Sequence, residues 1–172
     1  GEASMNRNSS FGGVVVNNTN WSANDDTSYV VKFNATGDFQ WKYEIDADNG
    51  TFESLDIYSY SFEEFNTEYV YTSGFITSAN GLYFEGSGIT LQCDSRCWTR
   101  DPFVAKIDGL TGQISWATKA TTLPTNASSW SHGSQNQISV DGSGNAIIVG
   151  EFSAESISFS SNGNPIVLNH TG

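Results

Sequence analysis

The chain has 172 residues, 37% hydrophobic and 13% aromatic, with 17 glycines, seven Lys and Arg against 19 Asp and Glu, and a formal charge of −12. So few cations leave little to neutralise a nucleic-acid backbone or an anionic membrane surface, which excludes partners held by phosphate contacts. No apolar run approaches the roughly 18 residues needed to span a bilayer, and no secretory signal pattern opens the chain; the expectation is a soluble, secreted or cell-surface β protein whose signal was removed or lies outside this segment.

In chain order, residues 1–27 carry Gly1-Glu2, Phe11 and Val14-Val15-Val16-Asn17. A first long unit, 28–100, opens on the strand-like Tyr29-Val30-Val31-Lys32-Phe33, turns at Thr36-Gly37 and reaches Trp41. Alternation follows in Leu55-Asp56-Ile57-Tyr58-Ser59-Tyr60 and in Glu68-Tyr69-Val70-Tyr71-Thr72, then come Gly74-Phe75 and Ile89-Thr90-Leu91. A second unit, 101–172, says the same in the same order: Phe103-Val104-Ala105-Lys106-Ile107, Thr111-Gly112, Trp116, Ile147-Ile148-Val149-Gly150, Ser156-Ile157-Ser158-Phe159 and Ile166-Val167-Leu168. Lys32 and Lys106 set the period at about 74 residues.

The ends match too, since Gly1-Glu2 answers Gly150-Glu151, Phe11 answers Phe159 and Val14-Val15-Val16-Asn17 answers Ile166-Val167-Leu168-Asn169. Residues 1–27 therefore read as a partial third copy that lacks the strand before Gly1, and the chain as a segment of a longer array. Helix periodicity is nearly absent, and polar starters with glycines punctuate the strands at 34–37, 108–112 and 141–145. The predicted fold is all-β, with tandem four-stranded antiparallel blades, either closed as a propeller or stacked linearly. About 74 residues per unit is marginal alone, so each unit leans on its neighbours.

The run Asp101-Pro102-Phe103-Val104-Ala105-Lys106-Ile107-Asp108, then Trp116-Ala117, then Ile138-Ser139-Val140-Asp141-Gly142-Ser143-Gly144-Asn145 through Gly150, resembles the seven-bladed β-propeller-type repeats of secreted and cell-surface proteins. The first unit keeps its Val-x-Lys strand and Trp41 but has Phe62-Glu63-Glu64-Phe65-Asn66 in place of the Asp-x-x-Gly-Asn turn. The stretch from Asp108 to Trp116 is also similar to the docking turn of quinoprotein propellers, which implies a tryptophan wedged between blades and implies fold alone, because neither their cofactor site nor their adjacent-cysteine pair is present. Propeller repeats host many functions.

Trp41 and Trp116, beside turns and in matched phase, read as packing residues rather than sugar platforms. Lys32 and Lys106 read as stems lying on the sheet with the ammonium near a carboxylate or water, and Gly74 and Gly150 complete the repeated set. Seven Asn-x-Ser/Thr sequons occur, at Asn8, Asn17, Asn20, Asn34, Asn49, Asn126 and Asn169. Asn17 and Asn169 hold the same phase after an apolar strand, which favours N-linked glycans over simple turn chemistry.

Cys93 and Cys97 are expected to close a tight disulfide in a secreted chain. His132 and His170 have no metal-like spacing, Asp46-x-Asp48 and Asp141-x-Ser143-x-Asn145 lack the rest of a calcium loop, and no metal site or cofactor is expected beyond weak divalent-cation binding between blades. No nucleophile elbow, phosphate loop or His-Glu-x-x-His pattern is present. A glycosidase would need two carboxylates across a cleft, with Asp46, Asp56, Glu63 and Glu64 at hand; the expectation is no enzyme. The leading reading is an extracellular structural protein that self-associates into a fibre, stalk or surface filament. The other is a closed propeller that binds a glycan or protein ligand through exposed aromatics such as Trp98 or Trp130.

Overall fold

A computed structural model describes residues 2–3, 9–11, 13–16, 27–47, 58–65, 69–76, 82–84, 86–92, 101–123, 133–161 and 164–171. They contain no helix. The strands are β1 (Glu2–Ala3), β2 (Ser9–Phe11), β3 (Val14–Val16), β4 (Thr27–Phe33), β5 (Phe39–Ala47), β6 (Tyr58–Phe65), β7 (Tyr69–Ile76), β8 (Leu82–Phe84), β9 (Ile89–Leu91), β10 (Asp101–Asp108), β11 (Ile114–Leu123), β12 (Gly133–Val140), β13 (Ala146–Phe152), β14 (Ser156–Ser161) and β15 (Asn164–Asn169). The protein is all-β, and every pairing among the described residues is antiparallel.

The strands form a five-stranded sheet in the order β1-β4-β5-β8-β9, a six-stranded sheet in the order β15-β14-β11-β10-β7-β6, and two hairpins, β2-β3 and β12-β13. Where four strands per unit are expected, the described residues hold six in each long segment, β4 to β9 and β10 to β15. The extra pair in each is a short hairpin, β8-β9 or β14-β15, which joins the outer edge of β5 or β11. Period-2 patterning marks such segments as strands but carries nothing about partners so distant in the chain.

The chain leaves the first sheet after β5, makes the β6-β7 hairpin in the second, returns for β8-β9, and crosses again so that β10 pairs with β7 along its whole length, from Asp101↔Ile76 to Asp108↔Tyr69. The second sheet therefore takes strands from both sides of residue 100, although the sequence period places a boundary there.

Registers recur between the halves. Lys32 faces Trp41 and Lys106 faces Trp116, each followed at once by a bulge. A second bulge falls opposite Gly74-Ser73 in β6 and opposite Gly150-Val149 in β12. Phe84 pairs with Ile89, Phe159 with Ile166 and Phe11 with Val14. Glu2 and Ala3 of β1 pair with Ser28 and Thr27, as Phe75 and Ile76 of β7 pair with Pro102 and Asp101. The stretch Phe62-Glu63-Glu64-Phe65, expected in a turn, is strand: its hairpin closes at Phe65↔Tyr69.

Two apolar cores separate three layers. Trp41, Tyr43 and Ile45 of β5 and Leu82 and Phe84 of β8 pack against Val70 and Ile76 of β7 and Phe103, Ala105 and Ile107 of β10. On the other face of the second sheet, Tyr71 and Val104 meet Ile138 of β12, flanked by Val140, Ala146 and Ile148. Strands β7 and β10 are consequently buried on both sides, which alternation with period two requires of a central layer.

Candidate functional site

The most developed polar and aromatic constellation is the joint between the first two sheets. Trp41 and Lys32 sit opposite each other on the β4-β5 hairpin, and both reach the β10-β11 turn: Trp41 Nε1 donates to the Gly109 carbonyl at 2.9 Å and Lys32 Nζ donates to the same oxygen at 2.9 Å. A carbonyl oxygen has two lone pairs and here meets two donors, one of them cationic. Gly112, at φ +73°, lies so close to the indole that a Cβ there would stand 2.8 Å from Trp41 Cδ2. Glycine is required both for the left-handed backbone and for the approach of the ring.

Asp108 builds that turn. Its Oδ1 accepts the backbone N–H of Thr111 at 2.7 Å, the Thr111 hydroxyl at 2.8 Å and the Leu110 N–H at 3.0 Å. The Thr111 N–H and then its hydroxyl hold the Asp108 carboxyl below the usual carboxylate range. The turn at 34–38 is made similarly: Asn34 Oδ1 accepts the N–H groups of Thr36 and Asp38, and Asn34 Nδ2 donates to Asp38 Oδ2 at 3.1 Å. The Thr36 hydroxyl, then Asn34, lowers Asp38. At 141–145, Asp141 is lowered first by the Asn145 side-chain amide, 2.8 Å away, and then by the Asn145 and Ser143 N–H groups. Each carboxylate or amide is occupied in closing its own loop.

The second copies of the repeated residues have different partners. Trp116 is 37% exposed where Trp41 is 7% exposed, and its ring meets Tyr71 edge-on at 6.2 Å. Lys106 Nζ lies 3.5 Å from the Tyr69 ring centroid and 5.5 Å from that of Tyr71. Among the described residues, the two repeated ammonium groups meet a carbonyl and two phenol rings. Gly74 faces Phe103 across β7-β10, and Gly150 faces Gln135 in the β12-β13 hairpin.

Two features had no clear sequence signal. Tyr71 is fully buried, and its hydroxyl donates to Gly144 O at 2.8 Å, which ties the second sheet to the turn of the third layer. Asp101, 1% exposed, pairs through Oδ2 with Lys119 Nζ at 2.7 Å, while its Oδ1 accepts the Thr122 N–H and hydroxyl at 2.9 Å. The carboxylate is satisfied on both oxygens, as a buried charge must be. Thr27, its counterpart in β4, is uncharged, so no repeated pattern pointed to it.

Of the sequons, Asn34 and Asn169 are exposed. Asn8, Asn17, Asn20, Asn49 and Asn126 lie outside the described residues, as do Cys93, Cys97, Trp98, Trp130, Asp48, Asp56 and His132. Among the described residues no three His, Cys, Asp or Glu gather in a way that would hold a metal ion, and no helix is long and apolar enough to cross a membrane. No protein-family model, no curated protein and no solved structure matches this chain.

Proposed function

We propose that this chain is an extracellular structural protein, a glycosylated tandem β-repeat whose sheets stack face to face in a fibre, stalk or surface filament. The observation that carries this reading is the interlocking of successive sheets. The β6-β7 hairpin of one sequence unit forms the edge on which β10 of the next is laid, and β8-β9 returns to the earlier sheet. Units joined this way share backbone ladders as well as side-chain cores, and a joint that repeats head to tail generates a filament when its rotation does not close. Glycans at exposed sequons such as Asn169 would keep filaments from associating side by side.

A second reading has one specific observation in its favour. Strands β6, β7, β10 and β11 lie side by side and antiparallel in the second sheet, and Trp41 wedges against the 108–112 turn in the way the resemblance to quinoprotein propellers implies. The same joint closed into a ring would be a ligand-binding propeller. Electron microscopy of the native material separates the two: a filament with branched density at Asn17 and Asn169 supports the structural role, and a discrete, bare ring supports the binding module.

A further inference from the structure

β13 pairs with β12 along one edge, and among the described residues no strand lies along the other. Its counterpart β7 has β6 on one side and β10 on the other. The bulge shared by the two hairpins aligns them without ambiguity, placing Gly150 at the position of Gly74 and Ile147 at that of Tyr71. On β7 that second edge holds Phe103 opposite Gly74, Val104 opposite Ser73 and Lys106 opposite Tyr71.

Resting on the structural reading above, we infer that residues 146–150 of β13 accept β4 of a second copy of this chain, antiparallel, with Tyr29 opposite Gly150, Val30 opposite Val149, Val31 opposite Ile148 and Lys32 opposite Ile147. This is the β7-β10 register with β4 in place of β10, and it brings β-branched residues together across the new ladder. The receiving strand is apolar, and the face that carries Ile147 and Val149 is open: they are 53% and 59% exposed, whereas Tyr71 and Ser73 at the same positions of β7 are buried.

Two further observations fit the same occupant. A cavity of about 170 Å³ beside β13, lined by Gly150, Phe152, Ile157, Phe159 and Leu168, lies where the first joint holds an aromatic ring. There Phe103 fills the corresponding position and packs edge-on against Phe84, the counterpart of Phe159, at 6.3 Å. Tyr29 is the counterpart of Phe103 and would enter the cavity. Half-exposed Trp116 also stands where Trp41 stands in the first joint, and the 34–38 turn of the incoming copy would cover it as the 108–112 turn covers Trp41.

On the donor side, β1 reaches only Thr27 and Ser28 of β4. Glu2 and Ala3 occupy the register that Glu151 and Phe152 would take, and β2-β3, the counterpart of β14-β15, touches β5 through the Lys42 Nζ bond to Val15 O, so the partner copy displaces both β1 and β2-β3 and extends the pairing of β4 to seven positions. The joint is heterologous: the β13 edge of one copy meets the β4 edge of another, two different surfaces, so addition continues.

The test is sedimentation of the full chain over a range of concentrations, with amide hydrogen exchange at each. Head-to-tail oligomers are expected, with protection rising together in residues 147–150 and 30–33 and Trp116 fluorescence shifting to the blue. Val149→Lys, an edge charge on an exposed position, is expected to weaken association by at least about tenfold and to abolish both protections. It should leave monomer melting unchanged, and Leu110→Lys in an exposed turn serves as the control. A chain that stays monomeric at every concentration, association that survives Val149→Lys, or protection rising at β15 instead would overturn the inference. Native filaments whose exchange shows protection elsewhere would sink this joint while leaving the structural reading standing.

Discussion

The indole nitrogen of Trp41 donates 2.9 Å to the carbonyl of Gly109, a residue 68 positions further on and in a different sheet. This contact, shared by Lys32, fixes where one sheet sits on the next. It depends on a turn whose glycine leaves room for the ring. Gly112→Ala places a methyl 2.8 Å from the indole at φ +73° and is expected to cost about 2 to 4 kcal/mol. Gly37→Ala has nothing within 4 Å of the added carbon at φ +86°, so only the backbone term remains, about 1 to 2 kcal/mol. Urea unfolding of the two variants side by side gives the comparison, and equal losses would contradict the role assigned to the indole.

Asp101 closes the buried end of β10 by holding Lys119 and both donors of Thr122. Asp101→Asn keeps the shape but removes the charge that compensates Lys119, and should destabilise by about 3 kcal/mol. Combining it with Lys119→Met is expected to restore part of that loss, because the stranded cation is then gone. A double-mutant cycle in chemical denaturation reads the coupling.

Acid sensitivity follows from the three turn carboxylates. Asp38, Asp108 and Asp141 all have folded-state pKa values below the ordinary one because their hydrogen bonds favour the ionised form. Their stabilisation is complete above the unfolded carboxylate value and is lost as pH falls through the lowered folded values. Melting temperature should therefore be flat through neutrality and fall on the acid side. Asp108→Asn should show a shallower acid fall than the parent, and an unchanged slope would count against this assignment.

Among the exposed sequons, Asn169 and Asn34 differ in what their side chains already do. Asn34 is the keystone of its turn, accepting through Oδ1 and donating through Nδ2 to Asp38. A transferase needs that nitrogen, so occupancy at Asn169 should exceed occupancy at Asn34. Glycopeptide mass spectrometry of the native material measures both, and Asp38→Ala should raise Asn34 occupancy by releasing the amide.

Local chemistry made much of this legible. The alternation in residues 69–72 and 156–159 and the Val-x-Lys runs became strands, and the polar-starter turns at 34, 108 and 141 are closed by the side chains expected of them. What could not be read was partnership. Nothing in Ile45 or Phe84 announces that they pair across nearly forty residues, or that β6-β7 leaves the sheet of β5 to found the next one. Trp41 and Trp116 look alike in sequence and differ in burial because the 108–112 turn covers Trp41, whereas the ring contact of Trp116 is an edge-on one with Tyr71. The neighbouring turn, and not the residue type, separates the two.

Helical reconstruction of the native material tests the central claim most directly. Sheets stacked face to face lie roughly 10 Å apart, and each copy contributes two complete sheets once its β4 edge is filled. A filament advancing by roughly 20 Å per copy, with continuous ladders crossing between copies, is the predicted result. Discrete rings, or filaments whose copies meet without shared strands, would contradict it.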